Sequence, residues 1–203
     1  MKATAWSDVT LLVNAPLFYV MGPSGAGKDS VLARARALLP ADTSVVFAHR
    51  YITRPPEMSG ENHVALSTAE FAVRRAHGLF AFHWQAHGNH YGIGREIHAW
   101  RKAGLTVVVS GSREHFQDVA GVDPETYPVL ITAPIELLRN RLAARGREDQ
   151  AAAARRLERS DAYDVHDPRL ITITNDGPVD DAARTLVMAL AMSRSAPAAR
   201  LRA

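Results

Sequence analysis

Short runs of consecutive apolar residues alternate along the chain with segments whose apolar positions recur every three to four residues. The run LFYVM at 17–21, bounded by Pro16 and Gly22, predicts a buried strand. A helical period follows over 28–39 and stops at Pro40, whose ring cannot continue a helix. A second short strand is predicted at 44–48. After residue 95 the rhythm becomes regular: helix 96–103, strand 106–109, short helix 113–119 and strand 128–132. A helix opened by Pro134 comes next, then a helix over 150–162, a strand at 170–174, a helix at 179–193 and a frayed tail from Ser195. Strands that are apolar throughout, separated by helices, predict an α/β domain whose mainly parallel sheet is covered on both faces.

The stretch 49–95 breaks this rhythm and reads as an inserted lobe. It is polar, rich in His and aromatic residues, and interrupted by Pro55, Pro56, Gly60, Gly78 and Gly88. Within it, Ser67-Thr68-Ala69-Glu70 has the spacing of a capping box and opens a helix to about Ala76. The following LFAFHWQAHGNHYG alternates and turns like a hairpin at Gly88-Asn89.

Composition narrows the function only a little. The chain has 203 residues, 47% hydrophobic and 22% charged, as expected of a soluble globular protein with one domain. A net charge of +3 suits small anions as well as nucleic acid, but basic residues interspersed with acids do not form a nucleic-acid stripe. The absence of cysteine excludes disulfides and thiolate metal sites. Nine histidines include no helix-spaced pair with partner acids, so no zinc site is expected. Apolar residues at 11–13 are followed by Asn14 and Pro16 and preceded by Asp8. No leader or membrane span is therefore expected, and a cytoplasmic location is.

The specific chemistry begins at Gly22-Pro23-Ser24-Gly25-Ala26-Gly27-Lys28, a Gly-x-x-x-x-Gly-Lys spacing between a predicted strand and a predicted helix. Glycines let successive backbone N–H groups turn around an anion. The helix N-terminus adds partial positive charge, and Lys28 places a full charge on the β- and γ-phosphates of a nucleotide. The next position of such loops carries a hydroxyl that ligates Mg²⁺; here it is Asp29. Either Asp29 touches the metal, directly or through water, or it serves as a first-turn acid while Ser30 assists. The strand at 106–109 ends in Ser110-Gly111-Ser112, without the acid that many such enzymes place there.

In order along the chain, GPSGAGKDS, YITRPPEMSGENH, STAEF, HGNHYG, RLAARG with Arg156 beyond it, and ITND resemble guanylate kinases over about 17–187. With Asp after Lys28, the chain is most similar to the ribose 1,5-bisphosphate phosphokinases. That resemblance implies a P-loop kinase core (about 17–48 and 96–194), an acceptor-binding lobe (49–95) and a helical lid (about 140–158). Arg54 and Tyr91 match acceptor-phosphate residues, Arg141, Arg145 and Arg156 match the lid arginines, and Asn175, before Asp176, matches the adenine-side loop. The guanine-reading acids of guanylate kinases are replaced by His83, Ser110 and Ser112; Arg50 stands for a Ser, His63 for a Tyr, and Glu57 for an Arg. Without acceptors for the base's donor groups, purine selectivity is lost. The replacements suit a sugar carrying two phosphates.

The implied reaction moves the γ-phosphoryl of ATP, with Mg²⁺, onto the 1-phosphate of ribose 1,5-bisphosphate, giving 5-phosphoribosyl 1-diphosphate and ADP. The attacking phosphate oxygen is already ionised, so no general base is needed. Implied partners are ATP and a phosphorylated sugar, not nucleic acid or membrane; a homodimer stays open. The alternatives are a guanylate or other nucleoside monophosphate kinase, or a non-catalytic scaffold of the same shape.

Overall fold

The computed structural model describes residues 14–41, 43–55, 62–144 and 165–195. Strand β1 (Leu17–Met21) is buried along its whole length, because it lies at the centre of a five-stranded sheet and contacts helices on both faces. Its neighbours are β7 (Thr106–Ser110) and β8 (Tyr127–Thr132). β2 (Val45–Phe47) pairs with β7 and β9 (Ile171–Thr174) with β8, giving the order β2-β7-β1-β8-β9 with every pairing parallel. One face packs on α1 (Lys28–Leu38), α5 (Ile135–Ala144) and α6 (Val179–Ser195) through Val31, Ala35, Leu138, Leu186 and Leu190. The other packs on α3 (Glu96–Lys102) and α4 (Phe116–Val122) through Ile97, Phe116 and Val119. The predicted α/β class with a mainly parallel, doubly covered sheet is what the chain forms.

Residues 50–94 build a second sheet from β3 (Arg50–Ile52), β4 (His63–Ala65), β5 (Phe80–Ala86) and β6 (Asn89–Gly94), in the order β4-β3-β6-β5. Helix α2 (Thr68–Ala76) covers it, with Phe71 packed against Phe80 and Leu66. The capping expectation holds on one side: Ser67 Oγ accepts from the Glu70 N–H at 3.1 Å. The Glu70 carboxylate is turned instead to Arg74, one helical turn on.

Three local expectations shift. The hairpin turns at His87-Gly88, one residue earlier than predicted, because both have positive φ (51° and 73°) and form the two-residue loop that matches strand twist. Asn89 opens β6 and its side chain donates to the His87 carbonyl. Helix α4 starts at Phe116 and not at 113, because Arg113 accepts from the Phe116 N–H and closes a turn first. β3 and β4 were not predicted as strands; each is three residues long, too short to show a period. The predicted helix at 150–162 lies outside the described residues, as does the chain after 195, to which α6 extends two residues past its expected end.

Candidate phosphate and acceptor site

The turn from β1 to α1 carries the phosphate-loop motif. Gly25 and Gly27 have φ of 87° and 81°, values that a side chain makes costly. Gly27 is the N-cap of α1 and contributes no capping side chain. The N–H groups of the first turn therefore get no side-chain cap from it, the arrangement that suits a phosphate. A Cβ on Gly27 would come within 2.5 Å of Asn175 Nδ2, so the loop and the turn after β9 are packed backbone against side chain.

Asn175 is 5% exposed. Its side-chain N–H donates to the Ala26 carbonyl at 2.8 Å, its backbone N–H to the Thr132 carbonyl, and its own carbonyl accepts from Arg141 Nη1 at 3.0 Å. The residue expected beside an adenine thus clips the phosphate loop in place and brings the Arg141 guanidinium to it. Neither bond has a signal in the local sequence, since the partners lie 149 and 34 residues apart. Asp176 is exposed. Arg145, Arg156 and Glu57 lie outside the described residues.

Around Asp29 the structure gathers residues from four elements. Arg50 Nη2, at the start of β3, donates to Asp29 Oδ1 at 3.1 Å. Ser110, at the end of β7, is 7% exposed, and its hydroxyl finds no hydrogen-bond partner among the described residues. Asp29 and Ser110 share a small cavity of about 40 Å³ with Phe47 and Val108. Such hard oxygens suit Mg²⁺, although the Arg50 guanidinium already engages one of them. Ser30 is exposed at the adjacent position.

Ser112 is held by a residue that the sequence did not single out. The Tyr19 hydroxyl on β1 accepts from the Ser112 N–H at 3.0 Å and donates to its carbonyl at 3.1 Å. Burial pushes the Tyr19 phenol well above its usual pKa, against the opposing effect of the Ser112 hydrogen bond. Gly111 has no side chain because the Tyr19 ring occupies the space of its Cβ.

The acceptor candidates fall into two groups. Arg54 follows β3, where Thr53 anchors the chain: its Oγ accepts from the His90 N–H at 2.8 Å and its N–H donates to the His90 carbonyl. His63 opens β4 opposite Arg50. The His90 ring stacks on Phe71, toward the packing under α2. Tyr91 is buried and stacks on Trp84 at 5.4 Å. Trp84 in turn stacks on His115, 5.5 Å away at the start of α4. The second group, His83 and Ser112, lines an open groove of about 550 Å³ between β5 and α4, with Trp84, His115 and Asp118. His115 Nδ1 lies 2.9 Å from Asp118 Oδ2. Partial burial, then the charge of Arg75 and of neighbouring His115 and His90, lowers the pKa of His83. The shift favours the neutral imidazole, a form that can bond a hydroxyl.

No helix among the described residues is long and apolar enough to cross a membrane. The chain is 52% identical over 170 residues to a ribose 1,5-bisphosphate phosphokinase of Desulfomicrobium baculatum, covering 84% of this chain and 91% of that protein. Proteins of the same name from Thiobacillus denitrificans and Dickeya zeae are 48% and 46% identical, over 86% and 89% of this chain and 92% and 96% of theirs. Among solved structures it is similar to a guanylate kinase from Anaplasma phagocytophilum, with a TM-score of 0.69 over 91% of this chain and 88% of that one. At 17% identity that likeness speaks for the fold alone. No protein-family model matches the chain.

Proposed function

The chain belongs to the ribose 1,5-bisphosphate phosphokinase family, and from that membership we propose how its residues divide the work of phosphoryl transfer. It is a kinase that converts ribose 1,5-bisphosphate to 5-phosphoribosyl 1-diphosphate. An oxygen of the 1-phosphate attacks the γ-phosphorus of ATP, the bond to the β-phosphate oxygen breaks, and ADP leaves. No proton has to move, because the attacking oxygen is ionised. Positioning and charge neutralisation carry such a reaction.

The loop of Gly22, Pro23, Ser24, Gly25, Ala26 and Gly27 surrounds the phosphates with its backbone N–H groups, Pro23 having none and shaping the turn through its carbonyl, which accepts from the Ala26 N–H; Lys28 sets its ammonium on the β- and γ-phosphates, and Arg141 supports the transferring group. Asn175 fixes the loop that does this. Asp29, with Ser30, would hold Mg²⁺, which would supply further neutralisation of the phosphate charge. On the acceptor side, Arg54, His63 and Tyr91 take a phosphate, with Arg54 offering a bidentate fork. His83, Ser110 and Ser112 face the sugar hydroxyls.

One observation carries this reading: the N-terminus of α1, which has no side-chain cap, follows the phosphate loop, and His83 and Ser112 line the open groove between β5 and α4 where a guanylate kinase would use acids to read a base. Incubation with Mg²⁺-ATP and ribose 1,5-bisphosphate is expected to yield the pyrophosphorylated sugar. With GMP as acceptor, kcat/KM is expected to be lower on the order of 10⁴-fold. Comparable GMP turnover sinks the assignment.

His83 adds a pH signature. Its folded pKa lies below the unfolded value of about 6.5, so protonation is resisted in the folded protein. Any stability linked to it is present above pH about 6.5 and lost as pH falls below that. The acceptor KM should be flat above neutrality and rise as acid protonates the ring. His83→Gln should remove that acid limb, as read from the pH profile of kcat/KM; a profile unchanged by the substitution would take His83 off the acceptor.

A further inference from the structure

Asp29 poses an electrostatic problem that the phosphate loop alone does not solve. It stands in the first turn of α1, next to Lys28, where a nucleotide brings several negative charges. A carboxylate about 5 Å from a phosphate oxygen, at the effective dielectric of a protein surface, weakens binding by up to roughly 10²-fold to the extent that no cation offsets it. The ion pair with Arg50 addresses this. Arg50 is 8% exposed and its guanidinium reaches Asp29 Oδ1 at 3.1 Å. Its charge is also felt by the Tyr19 phenol, whose pKa it lowers against the larger effect of burial, so the cation lies near the ends of β1 and β7. The backbone around it is fixed: the Arg50 N–H donates to the Asn62 carbonyl at 3.1 Å, and Arg50 pairs with His63 in the β3–β4 ladder.

We propose that Arg50 is a positioning residue for the nucleotide half of the site: its ion pair with Asp29 offsets the acid's charge beside the triphosphate and aims the carboxylate. The pair also spans the two sheets, since Asp29 belongs to the helix after β1 and Arg50 to the first strand of the inserted lobe. A residue whose sequence match points to the acceptor thus acts first on nucleotide binding. A buried cation held by a strand suits this task better than a flexible lysine, because the fork loses little freedom on pairing.

This inference rests on the phosphoryl-transfer reading but is tested on nucleotide binding alone. Calorimetry with Mg²⁺ and a non-hydrolysable ATP analogue, with no acceptor present, should show about 10²-fold weaker binding for Arg50→Met. Whatever affinity Asp29→Ser has on its own, adding Arg50→Met to it should cost no more than about three-fold. Arg50→Lys should fall between, which keeps the pair testable if Arg50→Met fails to fold; melting temperatures identify that case. Unchanged analogue affinity in both Arg50 variants overturns the proposal. So does a loss that persists undiminished in the Asp29→Ser background. A protein that binds the analogue yet phosphorylates no sugar still answers the question, so the two failures are distinguishable.

Discussion

Replacing Lys28 by Met is expected to lower kcat at least about 10³-fold, the range seen when a group that stabilises transition-state charge on a transferring phosphoryl is removed. The expectation follows from the position of Lys28 at the first residue of α1, after an N-cap that has no side chain of its own. The fold should not suffer, because α1 is anchored by the fully buried Val31 and Ala35 on its inner face. Its outer side is tied to α6 by the bidentate bonds from Arg34 to Asp180, both 2.7 Å. The measurement is ADP release by the purified variant beside its melting temperature. Activity within ten-fold of the unchanged protein would remove Lys28 from the transition state.

The largest effect on stability should come from Arg101→Ala. Arg101, in the last turn of α3, is 5% exposed. Its Nε donates to the Ala15 carbonyl at 2.7 Å, and Nη1 pairs with Asp123, at the C-cap of α4. One side chain therefore joins α3, the entry to β1 and the end of α4. Truncation leaves the Asp123 carboxylate largely buried without its cation and the Ala15 carbonyl short of a donor. A cost on the order of 3 kcal/mol follows, or a fall in melting temperature of roughly 6–12 °C for a chain of this size. Because an unpaired charge is the cause, Arg101→Met combined with Asp123→Leu should recover much of the loss. Urea unfolding of the three proteins checks both statements; a single variant as stable as the original would show that the pair contributes nothing.

What the sequence made legible was whatever is local. The phosphate loop is seven consecutive residues with a fixed spacing, and the central strands are unbroken apolar runs, so both could be read directly. The Ser67 cap spans three residues and was equally visible. The inserted lobe was recognisable as a change of composition but not as a sheet, since β3 and β4 are short and pair across a gap in sequence. The site's supports were hidden for the same reason. Arg50 and Asp29 are 21 residues apart, Tyr19 and Ser112 are 93, and Asn175 and Ala26 are 149. No period or motif encodes such contacts; they exist only once parallel strands bring their ends to one edge. Asn175 was expected beside an adenine, and in the fold its side chain donates to the Ala26 carbonyl of the phosphate loop. Arg50 was expected on the acceptor, and in the fold its guanidinium donates to Asp29, next to the phosphate loop.

The double bond between Tyr19 and Ser112 has a mechanical consequence. The strand that launches the phosphate loop is the same strand that grips the segment beyond β7. The two floors of the cleft are therefore mounted on a common beam. The spacing between the phosphate loop and the Ser112 segment is then a dimension of the scaffold. Adaptation to a longer or shorter sugar has to arise in the walls contributed by the inserted lobe.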